Sequence, residues 1–215
     1  MMINSIIFDL DGTLLNTIED LANACNYALT TLGYETHEVE KYKTFVGNGR
    51  YKLVERMLPE GNRSIENIEK ALDLFDSYYE KHMLDMTKPY DGIMEMLDCL
   101  ISKSINIAVV SNKPHEFTTE VVKNYFGDRF KVVYGHKKNT KEKPDPWAVL
   151  EVIDEFKVSK DECLYVGDSE IDINTAKNAE VKSVGVEWGF RGKGELESAG
   201  ANYIVNKPEQ ILEIL

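Results

Sequence analysis

Ile6-Ile7-Phe8-Asp9-Leu10-Asp11-Gly12-Thr13-Leu14 decides how this chain reads. Three apolar residues run without a break into two carboxylates separated by one residue. An unbroken apolar run marks a strand buried on both faces, as in a parallel sheet. In extended backbone, residues i and i+2 face the same way. Asp9 and Asp11 are therefore expected to converge at the carboxyl end of the strand, where open α/β sheets bind their ligands. Gly12 lets the chain turn away.

Similar short apolar runs follow downstream: Ile107–Val110, Val132–Tyr134, Leu164–Val166, Val184–Val186 and Tyr203–Val205. Helical patterns lie between them. Gly92 to Leu100 and Phe117 to Tyr125 read as helices, and Asp145-Pro146 reads as an N-cap with proline opening a helix to about Phe156. Alternating strands and helices predict an α/β fold with a parallel sheet. One gap breaks the rhythm. Almost a hundred residues separate Phe8 from the strand near Ile105, whereas a crossover needs only a dozen or more. Within the gap, Leu21, Ala24, Cys25, Ala28 and Leu32 keep helical spacing. So do Leu53, Val54, Met57 and Leu58, and so do Ile65, Ile68, Leu72, Phe75, Tyr79 and Met83. Residues 16–86 are expected to form a small all-helical domain inserted into a core made of 1–15 and 87–215, with Lys88-Pro89-Tyr90-Asp91-Gly92 as the return hinge.

Composition narrows the function. The 215 residues carry 25 Lys and Arg against 37 Asp and Glu, a formal charge of −12. Such a surface repels phosphodiester backbones, so nucleic acid is excluded as a general partner. No apolar run is long enough to span a membrane, and the start has no secretory pattern, so a cytoplasmic protein is expected. Cys25, Cys99 and Cys163 are odd in number and widely spaced; they read as reduced core thiols.

The first motif has an echo in Val166-Gly167-Asp168-Ser169-Glu170-Ile171-Asp172. Parallel strands align their carboxyl ends, so Asp9, Asp11, Asp168 and Asp172 are expected to meet. Two like charges 4 Å apart repel by roughly 4 kcal/mol at an effective dielectric of 20. Such a cluster calls for a cation, and oxygen ligands select a hard one such as Mg²⁺. Val110-Ser111-Asn112-Lys113 ends another strand with a hydroxyl, an amide and backbone N–H groups at an expected helix start, a corner suited to an anion. Lys143-Pro144-Asp145-Pro146 sets an ammonium just before a helix. Paired acids, a cation site, an anion corner and a lysine are equipment for phosphoryl transfer through a carboxylate nucleophile.

The four motifs, in this order, resemble the haloacid dehalogenase-like superfamily of phosphohydrolases. The resemblance implies a Rossmann-like parallel sheet flanked by helices, with the insertion as a small helical cap. It implies Asp9 as nucleophile and Asp11 as general acid/base, with the Asp11 backbone carbonyl on the metal. It further implies Asp168 as a metal ligand, and Asp172 acting through the metal's water. Ser111, Asn112 and Lys143 would bind the substrate phosphate, with Thr13 supporting its loop. Asn16-Thr17 departs from the more usual Asp-Ser. In the cap, Phe45-Val46-Gly47-Asn48-Gly49-Arg50 is similar to a loop of bacterial phosphoglycolate phosphatases, and Val186-Glu187-Trp188-Gly189-Phe190-Arg191 is similar to another loop of that subfamily. Gly47, Asn48, Gly49 and Arg50 are thus the expected specificity residues, with Arg50 meeting a second anionic group.

The expected function is Mg²⁺-dependent hydrolysis of a small phosphomonoester, 2-phosphoglycolate first, by a monomer or weak homodimer. Inorganic pyrophosphatase and a β-phosphoglucomutase-like phosphomutase use the same scaffold. A signalling receiver domain would be shorter and uninterrupted. A non-catalytic phosphate-binding protein would not need the complete polar set. His37, His82, His115 and His136 show no ligand spacing, and Phe75, Tyr78 and Tyr79 read as cap core.

Overall fold

The structure, a computed structural model, describes residues 2–215. The chain enters through β1 (Ser5–Phe8), turns through Gly12 and forms β2 (Leu15–Asn16). Four helices follow: α1 (Ile18–Thr31), α2 (Val39–Tyr42), α3 (Gly49–Met57) and α4 (Ile65–His82). The chain returns through β3 (Lys88–Pro89) and then alternates: α5 (Ile93–Ser102), β4 (Asn106–Pro114), α6 (His115–Phe126), β5 (Val132–His136) and α7 (Trp147–Phe156). β6 (Cys163–Gly167), α8 (Glu170–Ala179), β7 (Lys182–Val186), α9 (Lys193–Ala199) and β8 (Tyr203–Val205) complete it.

The six long-range strands form one parallel sheet in the order β5-β4-β1-β6-β7-β8. All six expected strands are present, and the fold is Rossmann-like α/β. The pleat explains the continuous apolar runs. Ile6 and Phe8 face one core with Ile107, Val109, Leu164 and Val166, while Ile7 faces the other with Ala108, Val110 and Tyr165. Each fully buried side chain of this size contributes roughly 1.5–3 kcal/mol. β1 is central in the sheet and flanked by β4 and β6. Its carboxyl end therefore lies between theirs, and three of the motifs come together there.

Several helix ends follow from local chemistry. In α7 the start falls one residue later than the sequence suggests. Pro146 takes the cap position, and Asp145 Oδ1 accepts from Trp147 N–H at 3.0 Å. In α4 the Ser64 hydroxyl caps Asn67 N–H at 3.3 Å, and Ile68, Ala71, Phe75 and Tyr79 form the buried stripe. Strand β4 runs on to Pro114 with a register shift after Val110, so Ser111 and Asn112 lie on strand rather than at a helix start. Here the expectation fails: α6 begins only at His115. Cys99 is half-buried rather than a core thiol, unlike Cys25 and Cys163.

The two passages between sheet and helices run side by side. Leu15 pairs with Pro89 and Asn16 with Lys88 in an antiparallel ribbon. Buried Asp20, at the start of α1, accepts from Met86 N–H at 3.0 Å and Thr87 N–H at 2.8 Å. Its carboxylate ties the outgoing and returning chain together. Among the described residues, no helix is long and apolar enough to cross a membrane.

Candidate active site

The carboxyl ends of β1, β4 and β6 open into a cavity of about 670 Å³, counted out to open solvent at its mouth. Its floor holds Asp9, Asp11, Ser111, Lys143 and Asp168; its roof is largely Leu21, Val46, Leu53, Phe75 and Tyr79 from the helical insertion.

Lys143 sits at the centre of the floor. Its Nζ donates to Asp9 Oδ1 at 2.7 Å and to Asp172 Oδ1 at 2.8 Å, all three side chains being buried. Asp172 occupies the first turn of α8, where its other oxygen accepts from Ser169 N–H at 3.1 Å and from the Ser169 hydroxyl at 2.7 Å. A reciprocal capping box thus aims Asp172. Asp168 is aimed by the loop after β7. Phe190 N–H donates to Asp168 Oδ2 at 2.6 Å, and Trp188 Nε1–H donates to Thr13 O at 2.9 Å. A Cβ at Gly189 would lie 2.2 Å from Asp168 Cβ, so only glycine lets this loop pass.

Asp9, Asp168 and Asp172 each offer an oxygen within 4.8 Å of one another. Three buried acids face one ammonium. Burial pushes the Asp9 carboxyl up from its ordinary 3.8 to about 7, against the pull of Lys143 and with the help of Asp172. Burial, with Asp172 and Asp9 beside it, pushes Asp168 well above the carboxylate range. The donor set is all oxygen and short of positive charge, so the residues present fit a hard divalent cation.

The acid cluster differs from the expectation in one member. The Asp11 carboxylate belongs to a separate pair. Lys113 Nζ donates to Asp11 Oδ1 at 2.9 Å and Oδ2 at 3.3 Å, and to the Tyr79 hydroxyl oxygen at 2.6 Å. The chain has already left strand geometry by then, since β1 ends at Phe8 and Asp11 bridges to Leu15. The rule of same-side alternation therefore no longer governs the pair, and the two carboxylates take different lysines on the wall of one cavity.

Asn112 is also placed otherwise than expected. Its Oδ1 accepts from Lys143 N–H at 2.7 Å, and its Nδ2 donates to Lys143 O and Gly47 O, both at 3.1 Å. The side chain is a bracket that seats Lys143 and holds the roof loop, while Ser111 and Lys113 line the cavity beside it. The Thr13 hydroxyl is buried with no partner among the described residues.

In the roof loop, Gly47 and Gly49 line the cavity with positive φ of 123° and 75°. A Cβ at Gly49 would lie 2.7 Å from Glu142 Oε1, so the backbone passes close to the core. Arg50 reaches the wall but is paired with Asp76, and Asn48 bonds Arg56 at 2.8 Å instead of joining the wall. Arg191 Nη2 donates to Val46 O at 2.8 Å, a second core-to-roof bond. Phe75 and Tyr79, expected only as cap core, form part of the wall. His115 is not in the wall; its Nδ1 accepts from Gly135 N–H at 3.3 Å.

No site role is expected from sequence for Lys113 or Arg191, and Tyr79 is expected only in the cap core. A signal for Lys113 was present: Ser111 and Lys113 stand at i and i+2 on β4, the same alternation used for Asp9 and Asp11. Arg191 stands in the Val186–Arg191 stretch that carries part of the resemblance, but nothing local marks its action on backbone carbonyls far away in sequence.

The family model for haloacid dehalogenase-like hydrolases matches residues 6–186. The phosphoglycolate phosphatase of Vibrio parahaemolyticus is 31% identical over 219 residues, covering 99% of this chain and 96% of its own. That of Psychrobacter arcticus is 34% identical over 193 residues, covering 86% and 84%. A solved structure from Lactobacillus delbrueckii subsp. bulgaricus, provisionally named a phosphoglycolate phosphatase, superposes with a TM-score of 0.94 at 34% identity, over 100% of this chain and 98% of that one. The model match and the full-length relatives agree with the strand-end geometry: the chain belongs to the haloacid dehalogenase-like hydrolase family, as a phosphohydrolase.

Proposed function

We propose that this protein is a Mg²⁺-dependent phosphatase for a small phosphomonoester, with 2-phosphoglycolate as its preferred substrate. The observation that carries the reading is the buried Asp9–Lys143–Asp172 network with Asp168 beside it, opening on the roofed cavity. The substrate is drawn from the names of the full-length relatives.

In this reading Asp9 attacks phosphorus and the ester P–O bond breaks. Asp11 gives a proton to the leaving alkoxide oxygen. An aspartyl-phosphate on Asp9 results. Water then attacks phosphorus, Asp11 takes its proton, and the Asp9–phosphate bond breaks to release inorganic phosphate. Lys143 and the Ser111 hydroxyl offset charge on the phosphoryl oxygens. Asp9, Asp168 and the Asp11 carbonyl would hold Mg²⁺, with Asp172 acting through its water, and the ion would supply further charge neutralisation of the phosphoryl group. Residues 16–86 serve as a cap that excludes water over a core of 1–15 and 87–215. The mainly apolar roof suits a small substrate.

The test is kcat/KM for phosphate release with Mg²⁺ across 2-phosphoglycolate, pyrophosphate, nucleoside monophosphates and sugar phosphates. A preference of about 100-fold for 2-phosphoglycolate, about 2.7 kcal/mol of transition-state binding, is expected. Preference for pyrophosphate would keep the chemistry and overturn the substrate.

A further inference from the structure

Four cations face the cavity, and each already has a partner. Lys143 lies between Asp9 and Asp172. Arg191 is spent on the backbone of the roof loop. Arg50 is paired with Asp76, and both belong to the roof. Lys113 is different, because one of its bonds is long and its tyrosine partner has a hydrogen to spare. An ammonium carries three N–H donors. The Lys113 side chain is 3% exposed, and among the described residues its Nζ bonds only Asp11 and Tyr79. Its three hydrogens meet three acceptors, and the contact with Asp11 Oδ2, at 3.3 Å, is the loosest of them. Tyr79, 1% exposed, has a donor left over. Its hydroxyl oxygen accepts from Lys113, and its own hydrogen has no acceptor among the described residues. Both residues line the cavity. A buried hydroxyl donor without an acceptor, beside a cation whose third bond is long, is unfavourable unless a ligand completes it.

We infer that Lys113 and the Tyr79 hydroxyl form the subsite for a second anionic group of the substrate, a carboxylate close to the phosphate ester. Two donors match the two oxygens of a carboxylate, and the ammonium supplies the charge. The inference rests on the phosphatase reading and deepens it. It moves recognition of the second anion from Arg50 to a lysine on β4 and a tyrosine on α4. It also gives the subsite a mechanical consequence. The incoming carboxylate competes with Asp11 for the ammonium, so the proper substrate loosens Asp11 and lets it reach the leaving oxygen. Because Tyr79 comes from the insertion and Lys113 from the sheet, the subsite is complete only when the helices sit over the core.

The experiment compares 2-phosphoglycolate with ethyl phosphate, which has the same carbon count and no carboxylate. Steady-state kcat and KM are measured with Mg²⁺ for the parent protein and for K113Q, Y79F and R50Q. The parent is expected to prefer 2-phosphoglycolate by about 100-fold in kcat/KM. K113Q should cut that ratio at least about 10-fold, mostly through KM for 2-phosphoglycolate. Y79F keeps the ring and its packing, so it reports even if K113Q folds poorly; a loss of about 5- to 10-fold in the ratio is expected. An unchanged ratio in Y79F and K113Q overturns the inference, as does a collapse of the ratio in R50Q alone. Equal rates on both esters in the parent overturn it while leaving the phosphatase reading intact. No phosphate from either ester overturns both.

Discussion

The floor of the cavity and its roof are built on opposite principles. The floor is a set of buried charges, each fixed by several partners. Lys143 is held through its ammonium by two acids and through its backbone by Asn112, and Asp172 is held by a capping box. The roof is mostly apolar side chains on helices. Among the described residues, its hydrogen bonds to the floor are few: Lys113 to Tyr79, Asn112 to Gly47 O and Arg191 to Val46 O and Thr44 O. A rigid charged floor suits chemistry that repeats unchanged with every substrate. A roof held by a few bonds over the same floor suits selection and movement.

The sharpest way to break this contrast is at Asp9. D9N keeps the shape and one hydrogen-bond acceptor but removes the nucleophile. Turnover is expected to fall by roughly 10⁴-fold or more, measured as phosphate release. Activity near the parent level would mean that the floor is not where the chemistry occurs. The next effect is on stability. K143M leaves Asp9 and Asp172 buried without their shared cation. Breaking a buried pair costs about 3–5 kcal/mol, a fall in Tm on the order of 10 °C for a chain of this size. A Tm within about 2 °C of the parent would show that the floor is far softer than its bonds imply.

The contrast also explains what could be read in advance. The strands were legible because burial on both faces leaves an unbroken apolar run, as in Ile6-Ile7-Phe8 and Leu164-Tyr165-Val166. The acids and Lys143 were legible because each stands at the end of such a run or just before a helix. What escaped depends on contacts remote in sequence. Nothing local marks Asp20 as the clamp on Met86 and Thr87, and the two-residue ribbon strands are too short to carry a period. Asn112 reads as a ligand but spends its amide on backbone. Tyr79 reads as core because it keeps helical spacing, and it is core along its ring while its hydroxyl reaches Lys113.

A third test sharpens the account of the floor. Burial raises Asp9 to about 7 from 3.8, so the metal-free folded protein binds more protons than the unfolded chain between those values. The contribution of this group to stability is therefore full below about pH 4 and is lost as pH rises through 7. A divalent cation competes with those protons. The Tm gain on adding Mg²⁺ should be larger at pH 8 than at pH 5.5, reaching the equivalent of about 2.7 kcal/mol at a hundredfold excess over Kd. D168N should abolish most of that gain. An equal gain at both pH values would place the cation away from these acids.

The smallest expected effect falls on the roof. Gly47 has φ of 123°, where side chains are rarely tolerated, and an added Cβ would sit 3.2 Å from Ile171 Cδ1. Its carbonyl also accepts the Asn112 bond that links roof and floor. G47A should therefore cost about 1–2 kcal/mol of local strain, which the loop relieves by lifting. The floor is held by its own partners and should not follow. The expected result is a KM for 2-phosphoglycolate raised about 3- to 10-fold, with kcat changed less and the Mg²⁺-dependent gain in Tm preserved. If kcat and the metal response fall together with affinity, the roof is not merely resting on a finished floor but is helping to build it, and the two regions form a single device.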